Sequence, residues 1–224
     1  VATQSQLTAV RRALNSLSTQ AQAEFAAAVA QGLHREALLA AAVDIISRYG
    51  GASSAFGESM FAMWADELGI PPGASLPAQA VNAPRASSRL SWALNRGVDL
   101  GSALGIVDEL VKQPFRSTIQ DSAYRAHAGW ARVPTGTETC AFCMLLASRG
   151  GVYHSEQIAQ FGINGKGYHG SCDCVPVITR GPDDLPAGYN PAGLYDRYLL
   201  ARADASSGSL TDVLSAWRKS EGGH

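Results

Sequence analysis

All four cysteines of the chain lie between Cys140 and Cys174, in two groups: Cys140-Ala-Phe-Cys143 and His169-Gly-Ser-Cys172-Asp-Cys174. A disulfide framework spreads its cysteines to close loops in a small secreted chain, whereas this clustering lets the thiols converge on one point. The CxxC spacing puts two sulfurs on a tight knuckle with backbone N–H groups directed at them, which suits one tetrahedral ion. The second group adds an imidazole and two more thiols on a Gly-containing turn able to fold back on the knuckle. Soft thiolates with an imidazole favour zinc over magnesium or calcium, whose hard ions prefer oxygen. Cys140, Cys143, His169, Cys172 and Cys174 therefore form the ligand pool of one structural zinc site.

Five candidates exceed the four that a closed structural site needs, so one of them lies outside the coordination shell. Four thiolates around Zn²⁺ carry a formal charge of about minus two, and three thiolates with His169 about minus one. The less charged set is preferred, with Arg149, Lys166 or Arg180 as the offsetting cation. A redox role for Cys140 and Cys143 would require a preceding strand in a βαβ unit, and Arg132 to Thr139 suggests neither. A catalytic zinc finds superficial support in Tyr153-His154-Ser155-Glu156, since zinc deaminases pair HxE with a CxxC. In those enzymes HxE precedes the cysteines and Pro precedes the first Cys; here HxE follows and Thr139 stands before Cys140. The alternative is thus a zinc-dependent hydrolase or deaminase using Glu156, with His154 otherwise a surface histidine.

The rest of the chain reads as mainly α. With 224 residues, 46% of them hydrophobic, it is long enough for a genuine core without the metal. Leu7, Val10, Leu14 and Leu17 recur at helical spacing, followed by an Ala-rich segment from Ala21 to Val29. A second helix is expected over Glu36 to Tyr49, ended by Gly50 and Gly51. A third follows, capped by Ser54, with Met60, Met63, Trp64 and Leu68 inward. Pro71 to Pro84 reads as a surface crossing and internal boundary. Beyond it, helices are expected at Arg85 to Arg96, Ser102 to Val111, and Phe115 to Trp130. Short helices at Leu194 to Ala203 and Leu210 to Trp217 close the chain.

This organisation divides the chain into a helical N-terminal region at 1–84, a domain at 85–180 and a tail at 181–224. The domain carries a small α+β or irregular zinc module at 132–179. Eighteen Lys and Arg against 19 Asp and Glu, with no run of about five like charges, argue against binding nucleic acid by bulk charge. Arg116, Arg125, His127 and Arg132 read as a solvated helical face, the alternative being contact with partner carboxylates or packaged DNA. No apolar stretch is long enough to span a bilayer, and Val1 to Gln20 lacks a leader pattern, so the chain reads as soluble and unexported.

The stretch from Arg132 through Cys140-Ala-Phe-Cys143 to Gly150, then Val152-Tyr-His-Ser, then Tyr168-His-Gly-Ser-Cys-Asp-Cys resembles the Mu F-type minor head protein domain of tailed bacteriophages. The likeness is to the form found in phages of actinobacteria, over about Phe115 to Thr179. It implies a virion protein rather than an enzyme: a minor capsid component made in the host bacterial cytoplasm and housed inside the head at the portal vertex. Its implied role is head morphogenesis, DNA packaging or ejection. The implied partners are the portal protein and scaffold or major capsid protein, with no membrane in the mature head. The positions matching the motif are Cys140, Cys143, His169, Cys172 and Cys174.

Overall fold

A computed structural model describes residues 2–71, 73–78, 83–95, 100–136, 139–152, 168, 172–181 and 184–220. In chain order these form α1 (Gln4–Ala30), α2 (Arg35–Glu67), α3 (Ala83–Asn95), α4 (Leu100–Arg125), β1 (Gly129–Val133), α5 (Ala141–Ala147), β2 (Val175–Thr179), α6 (Pro191–Asp204) and α7 (Leu210–Ser220). The expected class holds: a mainly helical protein with one small two-stranded sheet. None of the described helices is long and apolar enough to cross a membrane.

Helix α1 starts at a capping box in which the Thr3 hydroxyl accepts the Gln6 N–H and the Gln6 side chain accepts the Thr3 N–H. Its buried stripe, Leu7, Val10, Leu14, Ser18, Ala21 and Phe25, keeps helical spacing throughout. The lower half of α1 packs with the start of α2 and of α4 around Phe25, Ile46, Leu90 and Val107. Its upper half joins the later turns of α2 and α4 and both strands around Leu7, Phe61, Trp64, Phe115, Trp130 and Val177.

The pair Gly50 and Gly51 does not end a helix; α2 runs through it to Glu67. Gly50, Ser53, Ser54 and Gly57 form a buried stripe of small residues on α2. A Cβ on Gly57 would sit 3.0 Å from the Thr118 Cβ and 3.1 Å from the Phe115 carbonyl oxygen, so glycine here admits the backbone of α4. Close packing outweighs the roughly 1 kcal/mol that each helical glycine costs. Ser54 is no cap but a cross-link: its hydroxyl lies 3.0 Å from that of Thr118 and 3.1 Å from the Ala78 carbonyl. Of the residues expected inward on this helix, Met60, Trp64 and Leu68 are buried, whereas Met63 is exposed.

Pro114 was expected to divide two helices, yet α4 passes through it. Proline removes one ladder hydrogen bond. The adjoining Phe115 N–H donates to the Ser53 hydroxyl at 3.3 Å, so the neighbouring helix satisfies the backbone where the ladder is weakened. Helix α4 ends at Arg125 rather than Trp130, with His127 taking a positive φ of 52° before β1. The described part of the segment after α2 lies along α4, the Leu76 N–H donating to Ser122 and the Ala78 N–H to Thr118.

Strands β1 and β2 pair antiparallel, from Gly129 opposite Thr179 to Val133 opposite Val175, and every residue of both is buried. A strand therefore does precede the CxxC, contrary to expectation. Its partner is antiparallel, so the βαβ setting of a thioredoxin-like motif is not formed by these strands. Helices α6 and α7 pack on α5 through Ala141, Met144, Ala201, Val213 and Trp217.

Candidate metal centre

Three of the five candidate ligands meet at one point in the fold. Cys143 stands on the first turn of α5, and Cys172 and Cys174 immediately precede β2, whose pairing with β1 brings both ends of the module together. The sulfur atoms of Cys143, Cys172 and Cys174 all lie within 4.8 Å of one another, and all three residues are buried. The Cys143 and Cys172 sulfurs are 3.3 Å apart, and none of the four cysteines is in a disulfide. A tetrahedral zinc–thiolate site with bonds of about 2.3 Å has sulfur–sulfur edges of about 3.8 Å, compatible with sulfurs that lie within 4.8 Å of one another. The donor set and its spacing fit zinc.

Cys140 is the N-cap of α5. Its sulfur accepts the Cys143 N–H at 3.4 Å, the knuckle arrangement expected of a CxxC, and its side chain packs against the buried trio. His169 falls outside the described residues, as do His154, Glu156 and Lys166.

Residues that the sequence did not point to complete the surroundings. The carboxylate of Asp173, between the two cysteines, accepts the Gly136 N–H and, at 2.8 Å, the Thr139 hydroxyl. The Thr135 hydroxyl donates to the Asp173 carbonyl at 2.5 Å. These bonds tie the loop entering the first knuckle to the second, fixing the distance between the two ligand groups.

Arg116 and Arg132, expected on a solvated face, are instead 1% and 0% exposed. Both guanidiniums lie over the ring of Tyr168, their carbons 4.2 and 3.8 Å from its centroid. The Arg116 Nη2 donates to the Cys172 carbonyl at 2.6 Å, and Gln120 donates to the Tyr168 hydroxyl at 3.3 Å. Their burial comes from the surroundings: over Phe115 to Ala123 helix α4 is enclosed on nearly all sides, and every residue of β1 is buried. Of the cations expected to offset the site, Arg180 donates to the Leu68 carbonyl at the end of α2.

The electrostatics follow from these contacts. Hydrogen bonds from Cys143 and Cys174 hold the Cys172 thiol well below its usual range against burial, helped by Arg116 and Arg132. Hydrogen bonds with Cys140, Cys172 and Cys174 push the Cys143 thiol up. Burial likewise raises the phenol of Tyr168, which stays neutral and offers an aromatic face to the two cations. Burial opposes the Arg132 charge, but Tyr168 and the three thiols more than offset it. Of the three clustered thiols, that of Cys172 is the one held toward the thiolate, whereas those of Cys143 and Cys174 are pushed up.

Comparison with known proteins yields relatives from bacteriophages. A Gene 15 protein of Mycobacterium phage L5 is 39% identical over 72 residues, covering 32% of this chain and 22% of that protein. A Gene 15 protein of Mycobacterium phage D29 is 35% identical over 77 residues, covering 34% of this chain and 25% of that protein. The matched segments thus span about a quarter of the length of these curated relatives. No solved structure matches the chain. The family model described as VG15 protein matches residues 1–201, so the chain belongs to the VG15 protein family and its relatives are those of an actinobacteriophage protein.

Proposed function

We propose that the chain is a structural minor capsid protein of a tailed bacteriophage, of Mu F-like type, whose module at 132–179 is stapled by zinc. The observation that carries this reading is the closure of the Mu F-like cysteine motif into a buried set of sulfurs within 4.8 Å of one another. A site so enclosed by protein is suited to cross-linking rather than to turning over a substrate. When bound, zinc supplies a covalent-strength tie between α5 and the start of β2, holding the small module on the helical body.

In this reading the protein sits inside the head at the portal vertex. The portal protein, and scaffold or major capsid protein, are its partners in head morphogenesis, DNA packaging or ejection. It has no catalytic role. The phage origin of the relatives supports this setting. Mass spectrometry of purified virions, with immunogold labelling, tests it: the expected result is a low-copy head component at one vertex. Its absence from virions, or a metal-dependent hydrolytic activity abolished by Glu156→Gln, would overturn the proposal.

A further inference from the structure

We infer that Cys140 is the fourth zinc ligand and His169 is not, because Arg116 and Arg132 form a built-in double counter-charge for a site of four thiolates. The inference rests on the zinc reading above and adds the identity of the ligand set. Among the described residues the Arg132 Nε, Nη1 and Nη2 and the Arg116 Nε and Nη1 are buried with no hydrogen-bond partner. Among the described residues neither guanidinium pairs with a carboxylate; the ion pairs found there belong to Arg48, Arg89 and Lys112. A buried cation left so is costly unless an anion lies nearby. Among the described residues the groups packed beside the two arginines that can carry negative charge are the thiols: Arg116 holds the Cys172 carbonyl at 2.6 Å, and both guanidiniums lie on Tyr168, which packs with Cys143, Cys172 and Cys174.

Charge balance then discriminates between ligand sets. Zn²⁺ with three thiolates and an imidazole is a monoanion, which against two buried guanidiniums leaves one positive charge uncompensated. Zn²⁺ with four thiolates is a dianion, and the enclosed assembly is neutral. The sequence alone favours the less charged set; two cations inside the fold reverse that preference. The Cys140 sulfur lies outside the set of three within 4.8 Å of one another, but it stands at the rim of that set, accepting the Cys143 N–H at 3.4 Å on a residue whose side chain packs on the trio. The ring of Tyr168 stacks on both guanidiniums and so keeps them together at short range despite their like charge.

The test is zinc K-edge X-ray absorption on the full chain purified under reducing conditions with stoichiometric zinc. The expected spectrum fits four sulfurs at about 2.3 Å with no nitrogen. His169→Ala retains one zinc per chain, and Cys140→Ser weakens zinc binding at least a hundredfold in chelator competition. Arg132→Met weakens it at least tenfold while leaving the four-sulfur spectrum of the loaded fraction unchanged. A fit with three sulfurs and one nitrogen at about 2.0 Å, or loss of zinc from His169→Ala, overturns this inference and leaves the zinc staple standing. A chain that takes up no zinc overturns both. Because the wild-type spectrum decides the ligand set alone, a variant that fails to fold does not shelter the proposal.

Discussion

The Arg132 guanidinium carbon sits 3.8 Å from the centroid of the Tyr168 ring, with both side chains buried. A desolvated cation over an aromatic face is worth about 2 kcal/mol, beyond what the ring contributes by packing. Tyr168→Phe keeps the stack and loses the hydroxyl bonded to Gln120, so it is expected to destabilise by about 1 kcal/mol. Tyr168→Ala removes ring and stack together and is expected to cost about 3–5 kcal/mol in denaturant unfolding. Equal costs for the two substitutions would show that the ring is not what matters.

Asp173 supplies a second prediction. Its carboxylate holds the loop before Cys140 through Gly136 and Thr139. Asp173→Ala leaves the Gly136 N–H without its acceptor, at about 1–3 kcal/mol, and loosens the spacing between the two ligand groups. Zinc affinity is expected to fall about tenfold to a hundredfold, as for other residues that orient ligands. Chelator competition measures this, and unchanged affinity would refute it.

Removing the metal should act locally. The core shared by α1, α2, α3 and α4 around Phe25, Ile46 and Val107 contains no cysteine. A strong chelator under reducing conditions is expected to leave most of the helical circular dichroism in place while exposing amides of β1, α5 and β2 to hydrogen exchange. Global loss of helix would contradict the separation of the two regions.

How much of this was legible in the sequence depended on whether a residue's neighbours were local. The stripe of α1 and the presence of α3, α6 and α7 followed from spacing, although α6 begins three residues earlier and α7 ends three residues later than expected. Gly50, Gly51 and Pro114 misled because each is a helix breaker only in isolation: Gly50 belongs to the buried small-residue stripe of α2, the exposed Gly51 is carried along in the same helix, and the amide beside Pro114 finds Ser53. The cysteine trio was visible because metal ligation needs fixed spacings. The arginines were not, since their burial is imposed by α4 and β1 closing around Tyr168 from distant parts of the chain.

Between α3 and α4, Arg89 forms a two-pronged ion pair with Glu109 at 2.5 and 2.7 Å, the Glu109 side chain being 9% exposed. Arg89→Ala strands a mostly buried carboxylate and is expected to cost about 3 kcal/mol. The double variant R89M/E109L should recover most of that loss in thermal unfolding, whereas an additive loss would show that the pair itself is stabilising.

The acid side of stability should respond to Glu24. Hydrogen bonds from Arg48 and then Tyr49 lower its pKa in the folded protein. The contribution is present above the unfolded carboxylate range and is lost as pH falls through the lower folded value. The melting-temperature gap between the wild type and Glu24→Gln is therefore expected near neutrality and to close in strong acid. A gap independent of pH would exclude this link between α1 and α2.

The short ribbon of β1 and β2 has one further consequence. Cys174 directly precedes Val175, which pairs with Val133 at the end leading toward Cys140. A slip of one residue would move Cys174 by about 3.3 Å and turn its side chain to the opposite face. Only the correctly paired chain gathers its sulfurs around a single point, so in the zinc-bound form proposed above capture of the ion would act as proofreading, locking the native alignment and leaving a misaligned hairpin open to rearrange.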